Sequence, residues 1–135
     1  MTPDDARARF AGARVARLAT VSGDGRPHLV PIVFAVDGDR IVTAVDAKPK
    51  RGTMLRRLQN IEANPQVSVL VDEYDEDWAR LWWARADGHA RVVSSGPEAE
   101  NAMTQIRKRY RQYRSVALVG PAIVIDVDHW TGWNG

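Results

Sequence analysis

Cysteine is absent from this chain of 135 residues. Its absence excludes disulfides, thiolate metal sites and a cysteine nucleophile. No run of about 18 apolar residues occurs, so no membrane-spanning helix is predicted. The first residues, "MTPDDARARF", carry acids and lack the apolar centre of a signal peptide. The cytoplasm is the expected location, and any redox function would require a bound cofactor.

The net charge of the chain is small, because basic and acidic residues nearly balance. The chain has 19 Lys and Arg against 17 Asp and Glu, a net charge of +2, so the overall charge does not favour a nucleic-acid partner. The hydrophobic content of 44% is enough for one sizeable core at this length. We therefore expect a single domain over residues 1–135.

Signals of a protein-supplied catalytic group or metal site are also lacking. The three histidines, His28, His89 and His129, fall at no metal-ligand spacing. No serine stands in a G-x-S-x-G elbow, and no acid or base stands out. We expect no metal centre, and the catalytic residues are left unassigned.

Capping signals predict three helices. Thr2 followed by Pro3 and two acids is typical of a helix start, and this first helix should reach about Phe10. Thr53 is the predicted cap of a second helix, which ends before Asn64. Ser95 is the predicted cap of a third.

The remaining segments read as strands. β-branched runs separated by turn residues predict about six strands, and Asp37-Gly38 marks a tight hairpin. Pro31 has no backbone N–H, so its strand should carry a bulge or an unpaired edge there. Consecutive hairpins with intervening helices predict an antiparallel sheet closed as a barrel.

A basic segment stands at the start of the second predicted helix. In "VDAKPKRGTMLRRLQN" the cations are Lys48, Lys50, Arg51, Arg56 and Arg57. Each exposed cation at a helix N-terminus is disfavoured by about 0.3–1 kcal/mol, because the dipole is positive there. Clustered cations beside a glycine and free helical N–H groups predict a phosphate or carboxylate site. A solvated basic loop is the alternative.

The five tryptophans exceed what one small barrel can enclose. Trp82 and Trp83 are adjacent on a predicted strand, so they must point to opposite faces. One of them must therefore meet a second surface, either a protein interface or a pocket for a flat ligand. The alternative for each is an ordinary core aromatic.

With these features placed, the sequence resembles the FMN-binding split β-barrel superfamily of pyridoxamine 5′-phosphate oxidase-like proteins. The resemblance is carried by "LATVSGDGRPHLVPIVF", by "DAKPKR" followed by "RRLQNIEANPQVSVLVD", and by "DWARLWWARADGHARV". It covers nearly the whole chain. It implies a mainly β fold with helices, a six-stranded antiparallel split β-barrel with Greek-key-like connections.

The resemblance also implies a homodimer with the cofactor in clefts between protomers. The phosphate of the cofactor would be held by the basic loop and helix start, which selects Lys48, Lys50, Arg51, and Arg56 or Arg57. Its ring would lie against the strand pair, and the partner protomer would add a tryptophan. The residues so implied for the ring are His28, Pro31, Ile32, Val33, Thr43 and Asp46, with Trp78 or Trp83 from the partner.

The closing segment "IDVDHWTGW" resembles the actinobacterial branch that uses the deazaflavin coenzyme F420 in place of FMN. The implied function is an F420-dependent oxidoreductase that transfers a hydride to a small conjugated substrate. The alternatives are an FMN-dependent oxidoreductase or flavin reductase, and a non-catalytic cofactor carrier. Vitamin B6 oxidation is not predicted, because the C-terminal region shows no clear set of pyridoxal-phosphate-binding residues.

Overall fold

Seven strands and three α-helices make up the described part of the chain in a computed structural model, which covers residues 1–45, 55–115, 118 and 120–135. The helices are α1 (Pro3–Gly12), α2 (Arg56–Ala63) and α3 (Pro97–Arg109), with 3₁₀ turns at Trp78–Arg80 and Arg111–Arg114. The strands are β1 (Ala16–Val21), β2 (Pro27–Ile32), β3 (Ala35–Asp37), β4 (Arg40–Ala44), β5 (Gln66–Glu73), β6 (Trp82–Val93) and β7 (Ala122–Asn134). Within these ranges no helix has the length and apolarity needed to cross a membrane.

The strands form one antiparallel sheet in the order β2-β1-β5-β6-β7-β4-β3. The predicted mainly β, antiparallel split-barrel fold is confirmed. Closure of the barrel, which the hairpin pattern alone favoured, is wrong, because β2 and β3 are the two ends of the order and do not pair. The count is seven and not six, because the run starting at Pro27 is interrupted at Val33 and Phe34.

The interruption at Phe34 is fixed by side chains from distant parts of the chain. Its backbone N–H donates to the Tyr110 hydroxyl at 3.2 Å, and its carbonyl accepts from the Arg109 guanidinium at 2.7 Å. Thr43 Oγ1 donates to the neighbouring Val33 carbonyl at 2.6 Å. These backbone groups are therefore satisfied without a strand partner.

Two clusters of buried apolar residues pack against the sheet. Phe10, Leu18 and Val69 belong to the inner core, which α1 and α2 cover. Met103 and Ile106 of α3 pack on the other side of β4 and β7. Since β7 begins between these clusters, its "AIVI" run is apolar at every position, as expected for a strand buried on both faces.

The helix starts differ from the predictions in two of three cases. Thr2 caps α1 as predicted and forms a reciprocal capping box with Asp5. The prediction for α2 is wrong: the helix begins at Arg56 with Leu55 as its N-cap, and the predicted cap, Thr53, lies outside the described residues. The prediction for α3 is also wrong, because Gly96, with φ of 91°, is the N-cap in place of Ser95. Glycine adopts that conformation without strain.

Arg109 joins the end of α3 to the end of α1. Its guanidinium donates to the Ala11 carbonyl at 3.1 Å, to the Ala13 carbonyl and to the Phe34 carbonyl. It also lies 4.5 Å from the centre of the Phe34 ring. Burial lowers the pKa of Arg109 from its usual value. One side chain thus satisfies carbonyls that terminate two separate segments.

Removing this guanidinium should destabilise the protein strongly. We expect Arg109→Met to lower the free energy of unfolding by about 2–3 kcal/mol, because three hydrogen bonds from a charged donor are lost. Urea denaturation followed by tryptophan fluorescence measures the change. Arg107→Met, on the exposed side of the same helix turn, is the control, and equal effects in both variants would contradict this role.

Candidate functional site

The start of α2 has the charge arrangement that the sequence indicated. Leu55 at the N-cap makes no side-chain hydrogen bond to the helix, and the first turn contains no acidic residue. Arg56 and Arg57 occupy that first turn instead. The positive end of the helix dipole is therefore reinforced, which is unfavourable for the protein alone and favourable once an anion is bound.

One cavity of about 300 Å³ lies between this helix start and the β1–β2 hairpin. We call it the hairpin pocket; its lining residues are Ser22, Arg26, Pro27, His28, Arg56 and Asn60. The turn is shaped by Gly25, whose φ is 89°, and by the Ser22 hydroxyl, which accepts from the Arg26 N–H at 2.9 Å. The Ser22 hydroxyl also donates to Asp24 and holds the pKa of that carboxyl below its usual value, with Arg56 acting in the same direction.

A buried polar atom without a partner belongs to a residue that lines the hairpin pocket. Among the described residues, His28 Nδ1 has no hydrogen-bond partner, and a buried ring nitrogen normally has one. Beside it, Asn60 Nδ2 donates to Thr20 Oγ1 at 3.0 Å, which fastens α2 to β1. An unsatisfied nitrogen beside two arginines fits a polar, anionic ligand.

A second cavity of about 300 Å³ lies where β2 ends. We call it the edge cleft, and its lining residues are Val15, Pro31, Ile32, Val33, Thr43, Ala44, Arg57 and Tyr113. Most of this surface is apolar, as in pockets for flat organic ligands. The Thr43 hydroxyl donates to the Val33 carbonyl, so its oxygen can still accept a hydrogen bond from a ligand.

The structure groups seven of the residues chosen from the sequence around β2. Five of them line the edge cleft: Pro31, Ile32, Val33, Thr43 and Arg57. His28 and Arg56 line the hairpin pocket. The remaining loop residues, Asp46, Lys48, Lys50 and Arg51, lie outside the described residues.

The tryptophans chosen from the sequence line neither cavity within this chain. Trp78 is 70% exposed. Trp83 is half-buried, pairs across the sheet with Trp133 and has the Arg85 guanidinium 5.6 Å from its ring centre. Its neighbour Trp82 packs instead against the inner core. The two adjacent rings therefore have different surroundings, as strand geometry predicted.

The sequence matches the pyridoxamine 5′-phosphate oxidase family over residues 2–134. The chain belongs to that family. This confirms the family resemblance seen in the sequence.

The solved structures similar to this family member include proteins that bind different ligands. A conserved hypothetical protein from Mycobacterium tuberculosis is 20% identical, with 99% of this chain and 85% of the other covered and a TM-score of 0.76. A FAD-binding protein from Mesorhizobium loti is 21% identical, with coverages of 98% and 94% and a TM-score of 0.73. A heme-binding protein from Mycobacterium smegmatis is 18% identical, with coverages of 98% and 54% and a TM-score of 0.76. At these identities the likeness shows the fold alone.

Sequence reasoning missed several residues that line the two cavities of this family member. Asn60 could have been noticed in the sequence, because it is a polar residue next to the apolar Ile61 in a predicted amphipathic helix; in the structure it is 3% exposed. Tyr113 could not have been recognised, because it lies in the basic run "RKRYRQYR", which is typical of a solvated surface. Ser22 and Arg26 read only as turn residues.

A larger cavity of this family member, about 670 Å³, lies elsewhere. It is a groove at the irregularity between Asp87 and Gly88 in β6, where His89 Nδ1 lies 2.8 Å from Asp128 Oδ2. Asp87 and Asp128 would repel a phosphate, and no lysine or arginine is among the lining residues. The described residues hold no group of three or more metal-binding side chains. We therefore place the candidate cofactor site at the two cavities beside β2.

Arg56 provides a direct test of the anion site. Arg56→Gln should weaken binding of phosphate-bearing flavins or deazaflavins by about 1.5–3 kcal/mol, the value of a charged hydrogen bond. The protein without ligand should become more stable by about 0.3–1 kcal/mol, because the cation no longer opposes the helix dipole. Ligand titration and thermal melting measure the two effects, with Arg107→Gln as control. Unchanged affinity would assign Arg56 to the solvated-loop alternative and contradict the anion site.

Proposed function

We propose that this protein is an F420-dependent oxidoreductase of the cytoplasm that exchanges a hydride between the deazaflavin and a small conjugated substrate. One observation carries the proposal: two cavities flank β2, and both include an arginine from the same uncapped helix start. Arg56 lines the hairpin pocket and Arg57 lines the edge cleft. A ligand with a flat ring and an anionic chain matches this arrangement.

The edge cleft is the proposed seat of the ring. Pro31, Ile32 and Val33 offer an apolar strand surface, and the Thr43 oxygen offers one acceptor. When bound, the cofactor supplies the hydride chemistry, and the protein binds it, orients it and excludes water. No described residue that lines the cleft has a carboxyl or imidazole group, so solvent is the proposed proton source.

The hairpin pocket and the loop before α2 are the proposed seat of the anionic chain. Arg26 and Arg56 supply cations in the hairpin pocket, and Arg57 supplies another in the edge cleft. Three more, Lys48, Lys50 and Arg51, are close in sequence, and Asp46 is proposed to contact the ring. FMN has a single terminal phosphate, whereas F420 carries a phosphate and a lactyl-glutamate tail. The number of cations therefore favours F420 over FMN.

A homodimer is part of the proposal. Trp78 is exposed, and Trp83 and Trp133 lie side by side on a partly open sheet face. Exposed aromatic residues of this kind favour a protein interface. Trp78 or Trp83 of one protomer would then complete the ring site of its partner.

The cofactor preference is tested by binding and by reactivity. We expect F420 to bind more tightly than FMN, and its affinity to fall as salt rises, because several charge pairs are screened. The reduced protein-bound F420 should be oxidised by an added enone or quinone and only slowly by air. Fluorescence titration and stopped-flow absorbance provide the measurements.

The alternatives give different outcomes in the same experiment. Stoichiometric FMN that F420 does not displace would establish the FMN-dependent alternative. Binding of F420 without oxidation by any acceptor would establish the carrier alternative. Either result would contradict the proposed reaction.

Heme binding is a second candidate, because two histidines, His89 and His129, line the groove. The Asp128 carboxylate fixes the orientation of His89, as outer carboxylates do for metal-binding histidines, and the Mycobacterium smegmatis relative binds heme. Hemin titration tests it. A Soret shift that His89→Ala removes would favour heme over the deazaflavin.

The dimer is tested in solution. We expect analytical ultracentrifugation at micromolar concentration to give twice the mass of the chain, and Trp133→Glu to produce monomers by placing a charge in the apolar contact. Thr104→Glu, at an exposed position of α3 outside this sheet face, is the control. A wild-type protein that sediments as a monomer with and without cofactor would contradict the proposed assembly.

A further inference from the structure

Tyr113 is a cleft residue to which no role has been given. It lies in the 3₁₀ turn Arg111–Arg114 that follows α3, far in sequence from the strands that form the cleft. Its side chain nevertheless lines the edge cleft with Pro31, Ile32 and Val33. Among the described lining residues it is the one aromatic side chain.

We propose that Tyr113 is the aromatic wall of the edge cleft, against which the flat ring of the cofactor packs. The inference rests on the proposed function, because it assumes that a tricyclic ring occupies the cleft. The other lining side chains of the cleft are mostly aliphatic and offer no aromatic face. Stacking on an aromatic side chain strengthens binding of a flat heterocycle by about tenfold or more, judged from alanine substitutions at nucleobase sites.

Tyr110 holds Tyr113 in place. The two rings are in edge-to-face contact, with centroids 6.4 Å apart and planes at 78°. Tyr110 is itself only 5% exposed. Its hydroxyl donates to the Arg14 carbonyl at 2.9 Å and accepts from the Phe34 N–H at 3.2 Å.

This anchoring connects the aromatic wall to the opposite strand. Phe34 follows directly after Val33, so the Tyr110 hydroxyl bonds the backbone next to the residues that line the cleft. The Arg14 guanidinium lies 4.7 Å from the Tyr110 ring centre and covers that ring. The Tyr113 ring and the backbone at Phe34 thus contact one buried side chain, Tyr110, and preorganisation of this kind lowers the cost of binding a ligand.

The test separates contact with the ring from contact with the phosphate. Tyr113→Leu keeps apolar volume beside Tyr110 but removes the aromatic face, and Tyr113→Phe keeps the face but removes the hydroxyl. The probes are F420, FMN and riboflavin, which has the FMN ring without the phosphate. Tyr74→Leu, at a tyrosine that is 63% exposed and outside the cleft, is the matched control.

We expect Tyr113→Leu to weaken every probe that the wild type binds by the same factor of about ten, because the lost contact is with the ring. Tyr113→Phe and Tyr74→Leu should stay within about twofold of the wild type. Arg56→Gln should weaken the two phosphate-bearing probes and leave riboflavin unchanged. Titration with intrinsic tryptophan fluorescence gives each dissociation constant, and melting curves confirm that the variants fold.

Three other results of these titrations would each refute part of the proposal. Wild-type affinity in Tyr113→Leu would refute the aromatic wall while leaving the proposed function in place. Equal losses in Tyr113→Phe and Tyr113→Leu would assign the contact to the hydroxyl and refute stacking. A wild type that binds neither F420 nor either flavin would refute the proposed function, and this inference with it.

Discussion

The peptide at Phe34 is the point on which the rest of the structure depends. Its N–H and carbonyl bond Tyr110 and Arg109 of the α3 end in place of a neighbouring strand. Because those backbone groups are satisfied by side chains, β2 can end and β3 can begin in a different direction without a loss of hydrogen bonding. The sheet therefore stays open at this point, and the opening is the edge cleft. The same interactions dock α3 and terminate α1, so fold and site share one set of contacts.

Charge at the start of α2 is the second constraint. A short helix of eight residues with two arginines in its first turn and no cap is poorly stabilised on its own. It is kept in place by the buried Asn60–Thr20 hydrogen bond and by Leu58 and Ile61 in the core. Packing thus supports a local arrangement that is unfavourable until an anion binds. Such local conflicts are typical of functional sites.

The sequence predicted secondary structure best where the signal comes from residues that are neighbours in the chain. Thr2 and Pro3 predicted α1, and Asp37-Gly38 predicted the hairpin of β3 and β4, because both signals arise from neighbouring residues. The failures have a common origin in distant contacts. Nothing near Val33 and Phe34 indicates that a strand stops there, because the groups that stop it, Arg109 and Tyr110, are over seventy positions away.

The lining of the two cavities could be anticipated from the sequence to a similar extent and for the same reason. Residues along β2 and at the start of α2 could be chosen because the motif itself is continuous in sequence. Tyr113 and Asn60 enter the cavities through tertiary packing, so a pattern search in one segment does not reveal them. The His89–Asp128 pair was missed as well, because the irregularity in β6 and β7 brings the two together.

The central claim is that the cofactor lies across β2 with its anionic end at the start of α2, and nuclear magnetic resonance tests it most directly. In a titration of ¹⁵N-labelled protein with F420, the account predicts shifts of the Arg56 and Arg57 amides and of the His28 ring nitrogens. The His89 and Asp128 signals in the groove should stay unchanged. Shifts confined to His89 and Asp128, with Arg56, Arg57 and His28 unaffected, would contradict the account.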